Sequence, residues 1–120
     1  MGMKTDIKKV GDTVVVSMEG QLDFEMQEPL KRDLDALIRR VRTDHAPKKI
    51  IFNFEDLEFV GSSGISSFVQ TLKDFNTSSP MKPRYCGVKS EFRRVMKAFD
   101  EAEVFEFHDN EDRARKSFDQ

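Results

Sequence analysis

Phe59-Val60-Gly61-Ser62-Ser63-Gly64-Ile65 lies between two segments of opposite character. Before it runs Ile50-Ile51-Phe52-Asn53-Phe54, apolar and rich in strand formers. After it runs Ser66-Ser67-Phe68-Val69-Gln70-Thr71-Leu72, and the spacing of Ile65, Phe68, Val69, Leu72 and Phe75 marks one apolar face of a helix. Two adjacent serines between glycines therefore stand where a strand hands over to a helix. The first N–H groups of a helix have no partner within it, and its dipole favours negative charge there. A serine at that place can cap the helix, bind an anion, or carry a phosphate that the helix end tolerates.

Strand and helix signals alternate outward from this turn. Ile50-Ile51-Phe52 is continuously apolar, as in a strand covered on both faces, and the strand is read over Lys48 to Phe54. Upstream, Lys4 to Val10 and Thr13 to Glu19 read as two strands joined at Gly11-Asp12, with Gly20 ending the second. Gln21 to Met26 reads as a loop. Met26, Leu30, Leu34, Leu37, Ile38 and Val41 then recur at steps of three and four, a helical stripe with Pro29 in its first turn. His45-Ala46-Pro47 ends that helix. Downstream, Asn76 to Pro83 reads as a loop and Arg84 to Val88 as a strand. A third helix follows, capped by Ser90, with Phe92, Val95, Met96 and Phe99 on one face. Val104 to Phe107 reads as a last strand and Asp109 to Phe118 as a charged terminal helix. The order is ββαβαβαβα, an α/β fold with a mostly parallel or mixed sheet. Residues 3–120 form one domain in this reading.

Composition narrows the function. Hydrophobic residues make up 38% of the 120 and charged residues 35%, the balance of a globular domain with a heavily charged surface. The net charge of −2 argues against a nucleic-acid binder, which usually carries a basic patch. No apolar run approaches membrane-spanning length. Cys86 is the sole cysteine, so no internal disulfide forms, and without a signal-peptide pattern the reading is cytoplasmic. Its apolar flanks make it a buried thiol. There are 11 phenylalanines, one tyrosine and no tryptophan, which suits a protein–protein module and allows an exposed apolar patch. Composition leaves the oligomeric state between a monomer and a weak dimer.

The common catalytic patterns are missing. His45 and His108 lie in polar contexts and have no metal-ligand spacing, and one cysteine builds no thiolate site. Neither Ser62 nor Ser63 has glycines both two before and two after it, as a nucleophile elbow requires. No Walker lysine follows the glycines. The adjacent carboxylates Glu55-Asp56 are ordinary in so charged a chain. No catalytic residue, metal or cofactor is assigned. From spacing alone, Ser62 or Ser63 is a helix cap and Gly64 eases the turn.

Three short motifs in register resemble the STAS family, which includes the bacterial anti-sigma-factor antagonists. They are Gly20-Gln21-Leu22-Asp23 after the second strand, Asp56-Leu57 after the third, and Ser62-Ser63-Gly64-Ile65 opening the second helix. The family pattern reads Gly-Glu-Leu-Asp, Asp-Leu and Asp-Ser-Ser-Gly plus an apolar residue. The resemblance runs from about Lys4 to Phe118. It implies a small sheet of four or five strands with helices mainly on one face. It also implies that Ser63, with Ser62 as second choice, is phosphorylated by an anti-sigma factor that is a serine kinase, and that a phosphatase resets it. The unphosphorylated antagonist binds the anti-sigma factor and frees a sigma factor. By the same resemblance Asp23, Gln21, Gly61, Ser62 and Gly64 belong to the partner surface, although Asp23 is nearly as well read as a loop or helix cap. Gln21 replaces the usual Glu, and Gly61 the usual Asp. Three other readings stay open: a STAS scaffold without phosphorylation, a module sensing a nucleotide or other anion, and, least favoured, a hydrolase on Ser63.

Overall fold

A computed structural model describes residues 3–22, 27–41, 48–59, 65–79, 81–100 and 105–119. In chain order these form β1 (Met3–Val10), β2 (Thr13–Leu22), α1 (Gln27–Val41), β3 (Lys49–Phe59), α2 (Ile65–Ser78), β4 (Arg84–Cys86), α3 (Ser90–Ala98), β5 (Glu106–His108) and α4 (Glu111–Ser117). The sheet is mixed and five-stranded, in the order β1-β2-β3-β4-β5. β1 and β2 form the antiparallel hairpin read from the sequence, and its turn uses Gly11 at φ 61°. The remaining pairings are parallel.

The apolar run of β3 explains the layering. Ile50, Phe52, Phe54 and Leu57 enter the main core, where they meet Leu30, Leu34 and Leu37 of α1, Phe68, Leu72 and Phe75 of α2, and Phe92 and Met96 of α3. Ile51 points the other way, into a second cluster with Val15, Cys86 and Ala114 of α4. Three helices thus cover one face and α4 covers part of the other. The main core is aromatic: Phe52 stacks on Tyr85 with centroids 5.0 Å apart and meets Phe75 edge-on at 5.1 Å. The Tyr85 hydroxyl, fully buried, donates to Asn76 Oδ1 at 2.7 Å.

Several boundaries differ from the sequence reading, each for a local reason. β2 does not stop at Gly20 but runs through it to Leu22, because glycine takes φ 97° inside the strand. β3 does not stop at Phe54 but runs to Phe59, so Asp56-Leu57 lies within the strand. α2 continues over Asn76 to Ser78, because Asn76 is held by Tyr85. β4 ends at Cys86 and Gly87 follows at φ 68°. Ser90 is the first residue of α3 rather than its cap; Lys89 occupies the cap position without a side-chain bond. Phe99, assigned to the buried face of α3, is 45% exposed just beyond its end. The last strand is Glu106–His108, and α4 starts at Glu111 after Asn110, whose side chain accepts from the Arg113 N–H at 2.9 Å. His108, read in a polar context, is half-buried in that strand, 3.2 Å from Glu106.

Candidate functional site

β2 and β3 are parallel neighbours, and their last residues are paired: Gly20 with Leu57, Gln21 with Glu58, Leu22 with Phe59. The chain therefore leaves the sheet twice at one end, from adjacent strands about 5 Å apart. One exit leads through residues 23–26 to α1, the other through 60–64 to α2. Carboxyl ends of parallel strands are where α/β sheets place their binding sites. Of the residues that the resemblance assigns to phosphorylation and the partner surface, Gln21 is the described one, exposed at the end of β2 opposite Glu58. Asp23, Gly61, Ser62, Ser63 and Gly64 lie outside the described residues, as do Met26, His45 and Val104.

A β-bulge sets the phase of this strand end. Ser17 pairs with Asn53 but Glu19 pairs with Asp56, so Phe54 and Glu55 together oppose Met18. The extra residue leaves Glu55 and Asp56 both exposed and returns Leu57, 2% exposed, to the main core. Asn53 holds the bulge: its Oδ1 accepts the Glu55 N–H at 2.9 Å, and its Nδ2 donates to Glu111 at 3.3 Å. Gly87 backs it, since a Cβ there would stand 2.9 Å from the Glu55 Cβ and backbone nitrogen. Asp56, the acidic member of the second motif, sits beside Glu19 across the strands, and Glu58 beside Gln21. The strand end is acidic on the face away from the three helices.

α2 follows the serine segment, and its outer face is nearly free of charge. Ser66, Ser67, Gln70 and Thr77 are exposed there, and Lys73 and Asp74 are its charged residues. The hydroxyls of Thr71 and Thr77 donate back to the carbonyls of Ser67 and Lys73 at 2.9 and 3.0 Å, and Gln70 donates to Asp74 at 2.9 Å. Polar groups bonded within the helix cost less to strip of water than free charges do. This property was invisible in the apolar stripe; the run of uncharged residues on the opposite helical face is the signal that would have found it.

Cys86 lies in the second core. Burial, and after it the carboxylates of Glu111 and Glu55, pushes its thiol up to about 12. A thiol in that state is no nucleophile near neutral pH. Among the described residues, no cluster of three acidic, histidine or cysteine side chains is placed to hold a metal, and no helix is long and apolar enough to cross a membrane.

The sequence profile of the STAS domain matches residues 4–114. Solved structures share the architecture at low identity. An anti-sigma factor antagonist from Mycobacterium paratuberculosis is 17% identical, with 99% of this chain and 96% of that one covered and a TM-score of 0.69. The Bacillus cell fate determinant SpoIIAA in its phosphorylated form is 21% identical, with coverage of 96% and 99% and a TM-score of 0.64. A variant of RsbS from Moorella thermoacetica is 18% identical, with coverage of 97% and 95% and a TM-score of 0.72. No curated protein matches the chain. At such identities the structural likeness speaks for the fold; the profile match, over most of the chain, shows the family. The chain belongs to the STAS domain family.

Proposed function

We propose that this STAS chain acts as an anti-sigma-factor-antagonist-like binding protein, without catalysis of its own, in the cytoplasm of a bacterium. It binds a serine kinase of the anti-sigma type, which phosphorylates Ser63, and a phosphatase removes the phosphate. Ser62 is the second-choice acceptor. The observation that carries this reading is Ser63-Gly64 in the chain segment between β3 and α2, where β3 ends paired with the end of β2. That solved relatives include SpoIIAA in a phosphorylated form supports it.

The physical logic follows from the helix. α2 spans Ile65–Ser78, long enough for its N-terminal dipole to favour a phosphate just before it. The charge is thus tolerated within the chain and works against a partner whose surface fits the unmodified serine, through repulsion and desolvation. The partner surface comprises Gln21, Asp23, Gly61, Ser62 and Gly64, continued by the low-charge face of α2. The binding pair is tested by capturing serine kinases with Ser63→Ala and Ser63→Asp chains. We expect the alanine chain to retain the kinase and the aspartate chain to bind about tenfold or more weakly. Equal binding would contradict the switch.

Gly61 supports one other reading. The family's usual Asp at this position is missing, which removes a carboxylate beside the acceptor and adds backbone freedom. A STAS scaffold that binds without being phosphorylated would tolerate that change.

A further inference from the structure

The sheet has two margins, and they are built differently. β5 is three residues long, and its Glu106 is engaged by Arg84 at 3.3 Å and His108 at 3.2 Å. β1 is eight residues long, pairs with β2 on one side, and has no strand on its other side among the described residues. Such an edge presents unpaired backbone N–H and C=O groups to any second strand. Ile7 on it is 41% exposed, although its neighbour across the hairpin, Val16, is fully buried.

We propose that β1 pairs antiparallel with β1 of a second copy of this chain, with Ile7 opposite Ile7. The side-chain pattern selects that register. Pairing with β2 puts Lys4, Asp6 and Lys8 on one face, with Glu19, Ser17 and Val15, and puts Thr5, Ile7 and Lys9 on the helix-covered face, with Met18, Val16 and Val14. With Ile7 on the two-fold axis, Asp6 of each copy faces Lys8 of the other, and Thr5 faces Lys9. The two exposed isoleucines cover each other. Moving the axis to Asp6 sets Asp6 against Asp6 and Lys4 against Lys8; moving it to Lys8 sets Lys8 against Lys8. Directly opposed like charges destabilise a strand pair and opposite charges stabilise it. The lysines that usually guard an edge here reject those registers and favour the one centred on Ile7. An axis at Thr5 also pairs unlike charges, Lys4 with Asp6, but pairs Ile7 with Met3 and leaves Lys8, Lys9 and Val10 beyond the paired stretch.

The resulting sheet is continuous through both copies. β1 is antiparallel to β2 and to its partner strand, so the two chains' exits at Leu22 and Phe59 point to opposite ends of the joined sheet. A strand-edge interface is small, so the dissociation constant is on the order of 100 μM.

Sedimentation equilibrium of the full chain from about 10 μM to about 1 mM reads the assembly. We expect a monomer–dimer equilibrium. Asp6→Lys should weaken it roughly tenfold or more, since both Asp6–Lys8 contacts become lysine against lysine. The double variant Asp6→Lys with Lys8→Asp should restore it, because it swaps each pair; with the axis at Thr5 the double variant stays broken. Under mild oxidation Ile7→Cys should close an intermolecular disulfide, since opposed Cα atoms of antiparallel strands are about 4.5–5.5 Å apart, within disulfide reach. A wild-type chain that stays monomeric throughout overturns the proposal. So does a dimer indifferent to Asp6→Lys, or one that the swapped pair does not restore.

Discussion

α1 and α2 pack on the same face of the sheet and bury the same kind of stripe, yet they show water different surfaces. Under α1 lie Leu30, Leu34 and Leu37; under α2 lie Phe68, Leu72 and Phe75. On its outer side α1 carries Glu28, Lys31, Arg32, Asp33, Asp35, Arg39 and Arg40, whereas the charges of α2 are Lys73 and Asp74. The buried sides answer to the core and must be apolar in both. The outer sides differ in charge. The helix that follows the Ser62-Ser63 segment has shed most of its charge, which lowers the cost of covering it with a partner.

The largest test of this comparison concerns the side on which the helices agree. Leu34→Ala and Leu72→Ala should each lower unfolding free energy by about 2–5 kcal/mol, since both residues are at most 3% exposed in one core. Denaturant titration reads the loss, and a small loss at one helix alone would mean that the core does not hold both equally. On the outer sides the helices should part company. Ser67→Arg, at an exposed position of α2, should leave stability within about 0.5 kcal/mol but weaken kinase binding about tenfold or more, while Arg32→Ala on α1 should change neither appreciably. Binding assays that rank the two variants alike would remove the distinction.

The strand feeding the site gives a smaller effect. Gly20→Ala must accept φ 97° in β2 and should cost about 1–2 kcal/mol. A neutral result in thermal or denaturant unfolding would show that the strand does not need glycine there. The pH dependence is weaker still and confined to alkali. Cys86 is held at about 12 in the folded chain against 9.0 for an unperturbed thiol, so the unfolded chain releases its proton first. Its contribution to stability is complete below pH 9.0 and is lost as pH rises towards about 12. Burial raises Tyr85 in the same direction. At pH 8 iodoacetamide should leave Cys86 unlabelled in the native chain and label it in guanidinium; rapid native labelling would refute its burial.

The two helices also show how far the sequence could be read. Their apolar stripes declare the buried sides, and the unbroken Ile50-Ile51-Phe52 declares a strand covered twice, because core packing writes a period into the chain. The ends of β2 and β3 were hidden for the opposite reason. Gly20 looks like a stop but supplies a conformation the strand needs, and Glu55-Asp56, beyond the strand end read at Phe54, continues β3 past a bulge at Phe54-Glu55 held by Asn53 and Gly87. Ser90 has the chemistry of a cap but stands one residue inside the helix. Of the site, motif spacing named Ser63 and the residues around it, of which Gln21 is among the described residues. It could not supply the pairing of Gln21 with Glu58 or the quiet face of α2, which depend on register and on what the rest of the fold covers.

A reversible phosphate on Ser63 can be sought directly, because trypsin isolates the segment that would hold it. Cleavage after Lys49 and Lys73 releases Ile50 to Lys73, which holds Ser62 and Ser63 together with Ser66 and Ser67 of α2. Mass spectrometry of this peptide, from protein isolated from its own cells under several growth conditions, reads that phosphate. The account predicts a phosphate on Ser63 whose occupancy varies with condition. A peptide unmodified under every condition, or modified only at Ser66 or Ser67, would contradict it.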